Sequence, residues 1–362
     1  VRLTAVLLLA VLAAGEAGAQ TPDTTVTAPR PGVRVFGYPY VFYSPETDLA
    51  FGIGGILSFR AGADTALRPS KVLLSAYYTA NRQYKVTASH DLFAAANRSA
   101  ATVDLSFGRF IDKFYGIGPT TPDTGNPAYL LELLSFEGSF TRRIGESALR
   151  AGGIGRVEHQ TNIDPQDNGF LLSDSVHGAT GGWVSGIGAD FVWDSRDNIF
   201  YPTRGGLSEV KVTFYTSALG SEFNYTEAVA DLRRYLTWGR HVLGIQAYTA
   251  LVRGAPPYFK LPKLGGGSRM RGYYEGRYRD RTYTTAQAEY RTLLFWRIGF
   301  TAFAGVGDVA DAYAKYRLRD VKTSLGFGLR FLFDPKERIN LRCDFGFGRN
   351  TSGVYFAIEE AF

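Results

Sequence analysis

The segment Leu264-Gly265-Gly266-Gly267-Ser268-Arg269-Met270-Arg271-Gly272-Tyr273, continued by Glu275-Gly276-Arg277, sets arginines among glycines. It carries Arg269, Arg271, Arg277, Arg279 and Arg281 against Glu275 and Asp280. A guanidinium cannot shed its charge, so one shielded from water needs carboxylate partners. The chemistry offered here is ion pairing. Other reactive side chains form no constellation. His90, His159, His177 and His241 are scattered, without the His-Glu-x-x-His spacing of a metal helix. Cys343 is the sole cysteine, which excludes an internal disulfide and a cysteine zinc site. Gly152-Gly153-Ile154-Gly155 lacks the lysine and helix of a phosphate loop, and there is no Gly-x-Ser-x-Gly elbow. No enzyme activity, metal or cofactor is expected.

The elements that must position these charges follow from composition and period. The 362 residues carry 40 Lys+Arg and 34 Asp+Glu, a net +6, but no basic helix or aromatic-basic module, so nucleic acid is not an expected partner. With 26 Phe, 22 Tyr and 42 Gly the chain suits strands and tight turns better than packed helices. Arg2, the apolar run Leu3 to Ala14 and Ala17-Gly18-Ala19 read as a secretory signal peptide over 1–19. That run is shorter than the roughly 20 residues a spanning helix needs. Residues 20–33 read as a disordered periplasmic linker and 34–362 as the folded domain.

Within that domain apolar and polar residues alternate again and again. Ala101, Val103, Leu105 and Phe107 alternate with Thr102, Asp104, Ser106 and Gly108. Ile339, Leu341, Cys343, Phe345 and Phe347 alternate with Asn340, Arg342, Asp344, Gly346 and Gly348. Period two gives each strand one apolar and one polar or bare face. A soluble sandwich alternates too. The export signal, segments of about ten residues and the closing run Val354, Phe356, Ile358, Glu360, Phe362 favour a transmembrane barrel, with Phe362 on the lipid face. The fold class expected is all-β, an antiparallel barrel of about sixteen strands. The spans expected are 34–43, 48–60, 69–80, 82–93, 98–112, 128–143, 146–161, 181–194, 204–217, 222–237, 239–253, 282–295, 296–308, 318–334, 337–348 and 353–362. This even count puts both termini on the periplasmic side and 254–281 in the sixth outer loop.

A second segment is Asp194-Ser195-Arg196-Asp197-Asn198-Ile199-Phe200-Tyr201-Pro202-Thr203-Arg204-Gly205. Asp and Asn favour side-chain-to-backbone turns, Pro202 fixes φ, and Gly205 allows a tight reversal. A periplasmic turn with a structural role is expected, with Asp194, Arg196, Asp197, Asn198, Pro202, Thr203 and Gly205 building it.

These two segments, with the ending Gly353-Val354-Tyr355-Phe356-Ala357-Ile358-Glu359-Glu360-Ala361-Phe362, resemble the bacterial surface antigen barrels of the BamA/TamA family. The resemblance runs from about residue 36 to the C-terminus. It implies that the sixth outer loop folds into the lumen and that Met270, Arg271, Gly272 and Tyr273 anchor it, with inward Glu289 as the partner of Arg271. Members often carry a further inward Asp where this chain has Gly305, and Asp308 lies off register, so one anchor is missing or replaced. Residues 20–32 leave no room for the periplasmic POTRA domains of assembly members. Pro39 cannot donate a ladder hydrogen bond. It reads either as a weak seam, where Tyr40 on the first strand meets Ile358 on the last, or as a residue at a bulge or before the true strand start. The function expected is polypeptide insertion or translocation at the outer membrane. The partners expected are outer-membrane lipid, unfolded outer-membrane or secreted polypeptides and a separate periplasmic protein. The alternative is a passive pore or structural barrel that keeps the loop plug.

Overall fold

The computed structural model describes residues 33–44, 48–60, 67–123, 127–163, 171 and 176–362. The expected signal peptide and all but the end of the linker lie outside them. The first strands are β1 (Arg34–Ser44), β2 (Asp48–Phe59), β3 (Ser70–Thr79), β4 (Tyr84–Ala94), β5 (Ser99–Lys113) and β6 (Ala128–Arg143). Next come β7 (Leu149–Ile163), β8 (Gly181–Asp194), β9 (Gly205–Tyr215), β10 (Tyr225–Trp238) and β11 (His241–Gly254). A two-residue pair, β12 (Lys263–Leu264) and β13 (Tyr278–Arg279), sits inside the following connection. The set ends with β14 (Thr282–Phe295), β15 (Ile298–Ala310), β16 (Lys322–Asp334), β17 (Ile339–Gly348) and β18 (Thr351–Ile358). Sixteen of these strands form one sheet in which each pairs with its neighbour in the chain, the β12–β13 hairpin standing apart. The sixteen-stranded antiparallel barrel read from alternation is the fold.

The alternation decides what each wall presents. On β14, Gln287, Glu289 and Arg291 are buried, while Ala286 is exposed and Ala288 and Tyr290 are half-covered. Outward positions on other strands expose Phe51, Phe107, Phe136, Phe140, Ile187 and Phe214. An apolar belt of that extent suits lipid, not water. Trp193, Trp238 and Trp296 stand exposed at one end of the barrel, at the ends of β8 and β10 and between β14 and β15. Indoles favour the membrane–water boundary, so this rim marks one.

The meeting of the end strands differs from the expected pairing. Among the described residues no backbone ladder joins β1 to β18. The two ends overlap instead. Ile358, on the outward face of β18, packs into a cluster with Phe36, Ile56 and Leu73 from the inward faces of β1, β2 and β3. Phe36 meets Phe333 edge-on at 4.8 Å, and Arg34 pairs with Asp334. Between the overlapped sheets lies a cavity of about 690 Å³, with Tyr38, Tyr40 and Tyr77 on one wall and Leu329, Phe331, Cys343 and Phe356 on the other. The last strand therefore tucks inside the first. Tyr40 and Phe356 both line the cavity, and Phe36 and Ile358 both pack against the cluster built on Ile56 and Ile339. Pro39 lies within β1, opposite Ile53 and without a bulge, on an end strand where a missing N–H costs no ladder bond.

Phe362 also departs from expectation. β18 stops at Ile358, and Glu359 takes φ 71°, which turns the chain inward. Glu359 is held by Lys71 at 2.6 Å, and Phe362, 5% exposed, packs on Tyr235 in the lumen rather than facing lipid. The charge pairing and the buried ring outweigh continued alternation.

In a Cys343→Ser background, Phe36→Cys with Ile358→Cys should crosslink efficiently under mild oxidation, and Tyr40→Cys with Ile358→Cys poorly. Non-reducing gels of the detergent-purified, heat-modifiable protein read the outcome. The reverse ranking would mean that the ends meet in another register.

Candidate functional site

The connection from β11 to β14 folds into the barrel. At the mouth, Tyr258 and Phe259 join Phe114, Tyr129, Leu131 and Val252 in a buried apolar cluster. The β12–β13 hairpin then reverses the chain, and Met270 at φ 49° and Gly272 at φ 110° make its tip. Met270, Arg271 and Tyr273 are each at most 1% exposed.

Arg271 sits between two carboxylates. Its Nη2 donates to Glu289 Oε2 and its Nη1 to Asp344 Oδ2, each at 2.5 Å. All three side chains are fully buried. The guanidinium carbon lies 3.4 Å from the Phe303 ring centroid, so the ring face covers what the carboxylates leave. The network extends sideways. Arg291 Nε donates to Glu289 at 2.7 Å, Arg330 Nη1 and Arg342 Nη1 to Asp344 at 2.5 and 2.8 Å, and Arg330 Nε to Glu360 at 2.7 Å. Strands β14, β16 and β17 and the inward tail thus share one charge lattice around the loop tip.

The backbone of the tip is fixed as firmly. Ser324 Oγ donates to the Arg271 carbonyl, the Tyr355 hydroxyl accepts from Gly272 N at 2.8 Å, and the Tyr273 hydroxyl donates to Thr323 O at 3.1 Å. This fit requires bare strand surface. A Cβ on Gly346 would lie 2.6 Å from the Arg271 carbonyl carbon, and one on Gly326 would lie 2.3 Å from the Phe303 ring.

Met270, Arg271, Gly272, Tyr273 and Glu289 come together at this tip. The second acid is Asp344, three strands along the sheet from Glu289 by way of β15 and β16. It supplies from β17 the second acid that the Gly305 position on β15 lacks, and its place on the polar face of the expected strand is the signal that could have named it. Gly305 has another use. A Cβ there would lie 3.5 Å from Met270 Sδ, so a longer inward side chain would compete with the loop tip. Asp308 is engaged by Lys322 at 2.6 Å.

The turn motif closes the opposite end. Asp194 accepts from Arg196 Nε at 3.0 Å and pairs with Arg68. Asn198 Oδ1 caps the N–H groups of Phe200 and Tyr201 at 2.7 and 2.8 Å. Asp197 accepts from the Thr203 hydroxyl at 2.6 Å and from Arg204 N at 3.0 Å. Burial alone would raise the Asp197 carboxyl, but the Thr203 hydroxyl and these N–H groups hold it below the usual carboxylate range. Pro202 is buried, and Gly205 takes φ 84°, where a Cβ would lie 1.9 Å from Ser195 O. The turn also does what its residue types did not announce. It drives Ile199 and Phe200 inward against Ile56 and Ile339, plugging this end of the lumen.

Because the Arg271 pairs are dry, removing one partner costs about 3–5 kcal/mol, more than the screened value of a wet lumen. Arg271→Ala should leave the barrel heat-modifiable and make 264–281 cleavable by protease, as read on gels of intact membranes. Gly346→Ala should loosen the same segment without touching a charge. An unchanged cleavage pattern in both variants would refute this anchoring.

The Omp85 superfamily domain matches residues 51–362. Among solved structures, BamA from Haemophilus ducreyi lacking POTRA domains 1–3 aligns with a TM-score of 0.55 at 12% identity, over 91% of this chain and 69% of that one. CdiB from Acinetobacter baumannii aligns with a TM-score of 0.54 at 12% identity, over 98% of this chain and 65% of that one. The chain thus spans about two thirds of the length of each. No curated protein sequence matches it. At that identity the structural likeness speaks for the fold, and the family match for kinship: the chain belongs to the Omp85 superfamily.

Proposed function

We propose that this protein is an outer-membrane barrel that helps polypeptides insert into or cross the bacterial outer membrane. The observation that carries the reading is the overlapped, unladdered seam between β1 and β18. An end strand with free backbone groups is a template for another strand, and lipid forbids such groups from staying unpaired. The seam therefore suits transient pairing with a strand of an unfolded client, main chain to main chain. What holds it shut is a set of side chains: the Ile358 cluster, Arg34–Asp334, the two-pronged Arg60–Glu337 pair and Lys71–Glu359. The rim that carries the three tryptophans is the periplasmic one in this reading, and a separate periplasmic protein delivers clients to it.

A passive pore needs a standing water path. The loop tip, its charge lattice and the inward turn Ile199-Phe200 all occupy the lumen, which favours the gated reading. The barrel does no covalent chemistry in this reading.

Locking the seam with the Phe36→Cys and Ile358→Cys pair should abolish rescue of a deletion strain, and reductant should restore it. In planar bilayers the wild type should conduct poorly and in flickers, and deletion of Gly265 to Arg281 should give a larger, steady current. Full rescue by the locked barrel together with steady wild-type conduction would replace the gated reading with the pore.

A further inference from the structure

Outward faces of the strands carry few charges. Arg109 and Glu132 lie 3.9 Å apart and answer each other. Arg234 is different. It stands on the outward face of β10 between exposed Leu232 and Leu236, four residues before the strand ends at Trp238. Among the described residues its guanidinium has no ion-pair or hydrogen-bond partner. A charged side chain on a lipid face is costly at the bilayer centre and tolerated near the boundary, where it reaches an anion.

The surroundings place Arg234 at that boundary and give it a groove. Its cross-strand neighbours are Gly206 on β9 and Ile245 on β11. Gly206 is bare, and a Cβ there would lie 3.6 Å from Arg234 Cδ, so the arginine stem lies over the glycine. A groove of about 390 Å³ opens beside it, lined by Trp193, Ser208, Leu232, Ile245 and Ala247. Trp193 is half exposed, in the indole rim described above. The groove therefore has an apolar wall running toward the belt, a hydroxyl on its floor, and an unanswered guanidinium at its aqueous end. A guanidinium recognises phosphate oxygens in a planar fork.

We propose that this groove binds a membrane phospholipid, with its phosphate on Arg234 and one acyl chain along Leu232, Ile245 and Ala247. The charge complementarity singles out an anionic head, and an apolar wall on the outward face beside the indole rim singles out an acyl chain, so free phosphate does not meet both demands. The site rests on the membrane-spanning reading above and is independent of what passes through the seam. A bound lipid at this level would hold β8 to β11 at a fixed depth in the bilayer.

Native mass spectrometry of the barrel in mild detergent, titrated with phosphatidylglycerol, tests this. The wild type should retain one lipid to higher collision energy than any further adduct. Arg234→Gln should lower the retained fraction about tenfold, the loss of a charge-assisted contact, while Arg234→Lys keeps part of it. Arg240→Gln, at the exposed turn beside β10, should change nothing. Ala247→Trp, which fills the groove and keeps the arginine, should also lose the lipid, and inorganic phosphate should not compete. Heat-modifiable migration of each variant separates loss of the site from loss of the barrel. Equal retention in wild type, Arg234→Gln and Ala247→Trp would overturn the proposal, as would competition by inorganic phosphate alone.

Discussion

One guanidinium organises the lumen. Arg271 arrives on a loop tip, is buried with no exposure, and keeps its charge whatever the surroundings. Such a group is tolerable only if acids from the wall close around it, and Glu289 and Asp344 do so from β14 and β17. Those acids are in turn shared with Arg291, Arg330 and Arg342, which ties neighbouring strands into the same lattice. The bare surfaces of Gly346, against the loop backbone, and Gly326, against the Phe303 ring that covers Arg271, belong to the same constraint. A buried ion pair of this kind contributes more to choosing one arrangement than to net stability, since an apolar replacement of equal volume is often as stable.

The same lattice reaches the seam. Glu360 contacts Arg330, so the tail that follows β18 is drawn into the lumen by the network that holds the loop. Glu359 is then within reach of Lys71 on β3, and Ile358 settles into the cluster that Phe36 also joins. Loop, tail and overlapped edge are thereby mechanically connected. A barrel with a full ladder at its seam would have each residue of the join held by backbone bonds. Here the join depends on a few side chains, which is a weaker and more reversible form of closure.

Much of this architecture was legible in the sequence. The sixteen strands followed from period-two alternation, because a wall between lipid and lumen leaves a mark at every second residue. Arg271 with Glu289 followed from a resemblance and from the inward face of one strand. Asp344 did not, although it was on a polar face, because choosing it needs the depth at which the loop tip stops. The inward tail was invisible for a similar reason. Phe362 continues the apolar alternation of Val354, Phe356 and Ile358, and nothing local announces that Lys71, far away in the chain, will pull Glu359 aside. The expected pairing of Tyr40 with Ile358 is not the one observed, because the ends overlap instead of pairing edge to edge. Local pattern reads faces well. It reads closure poorly, since closure is set by pairs distant in sequence.

Arg271 and Asp344 are one interaction and not two neighbouring charges. A double-mutant cycle of Arg271→Ala and Asp344→Ala, read by reversible urea unfolding of the refolded barrel, measures it directly. A coupling of about 1–3 kcal/mol is expected, with the double variant far less destabilised than the two single losses added together. Effects that add to within about 0.5 kcal/mol would contradict it.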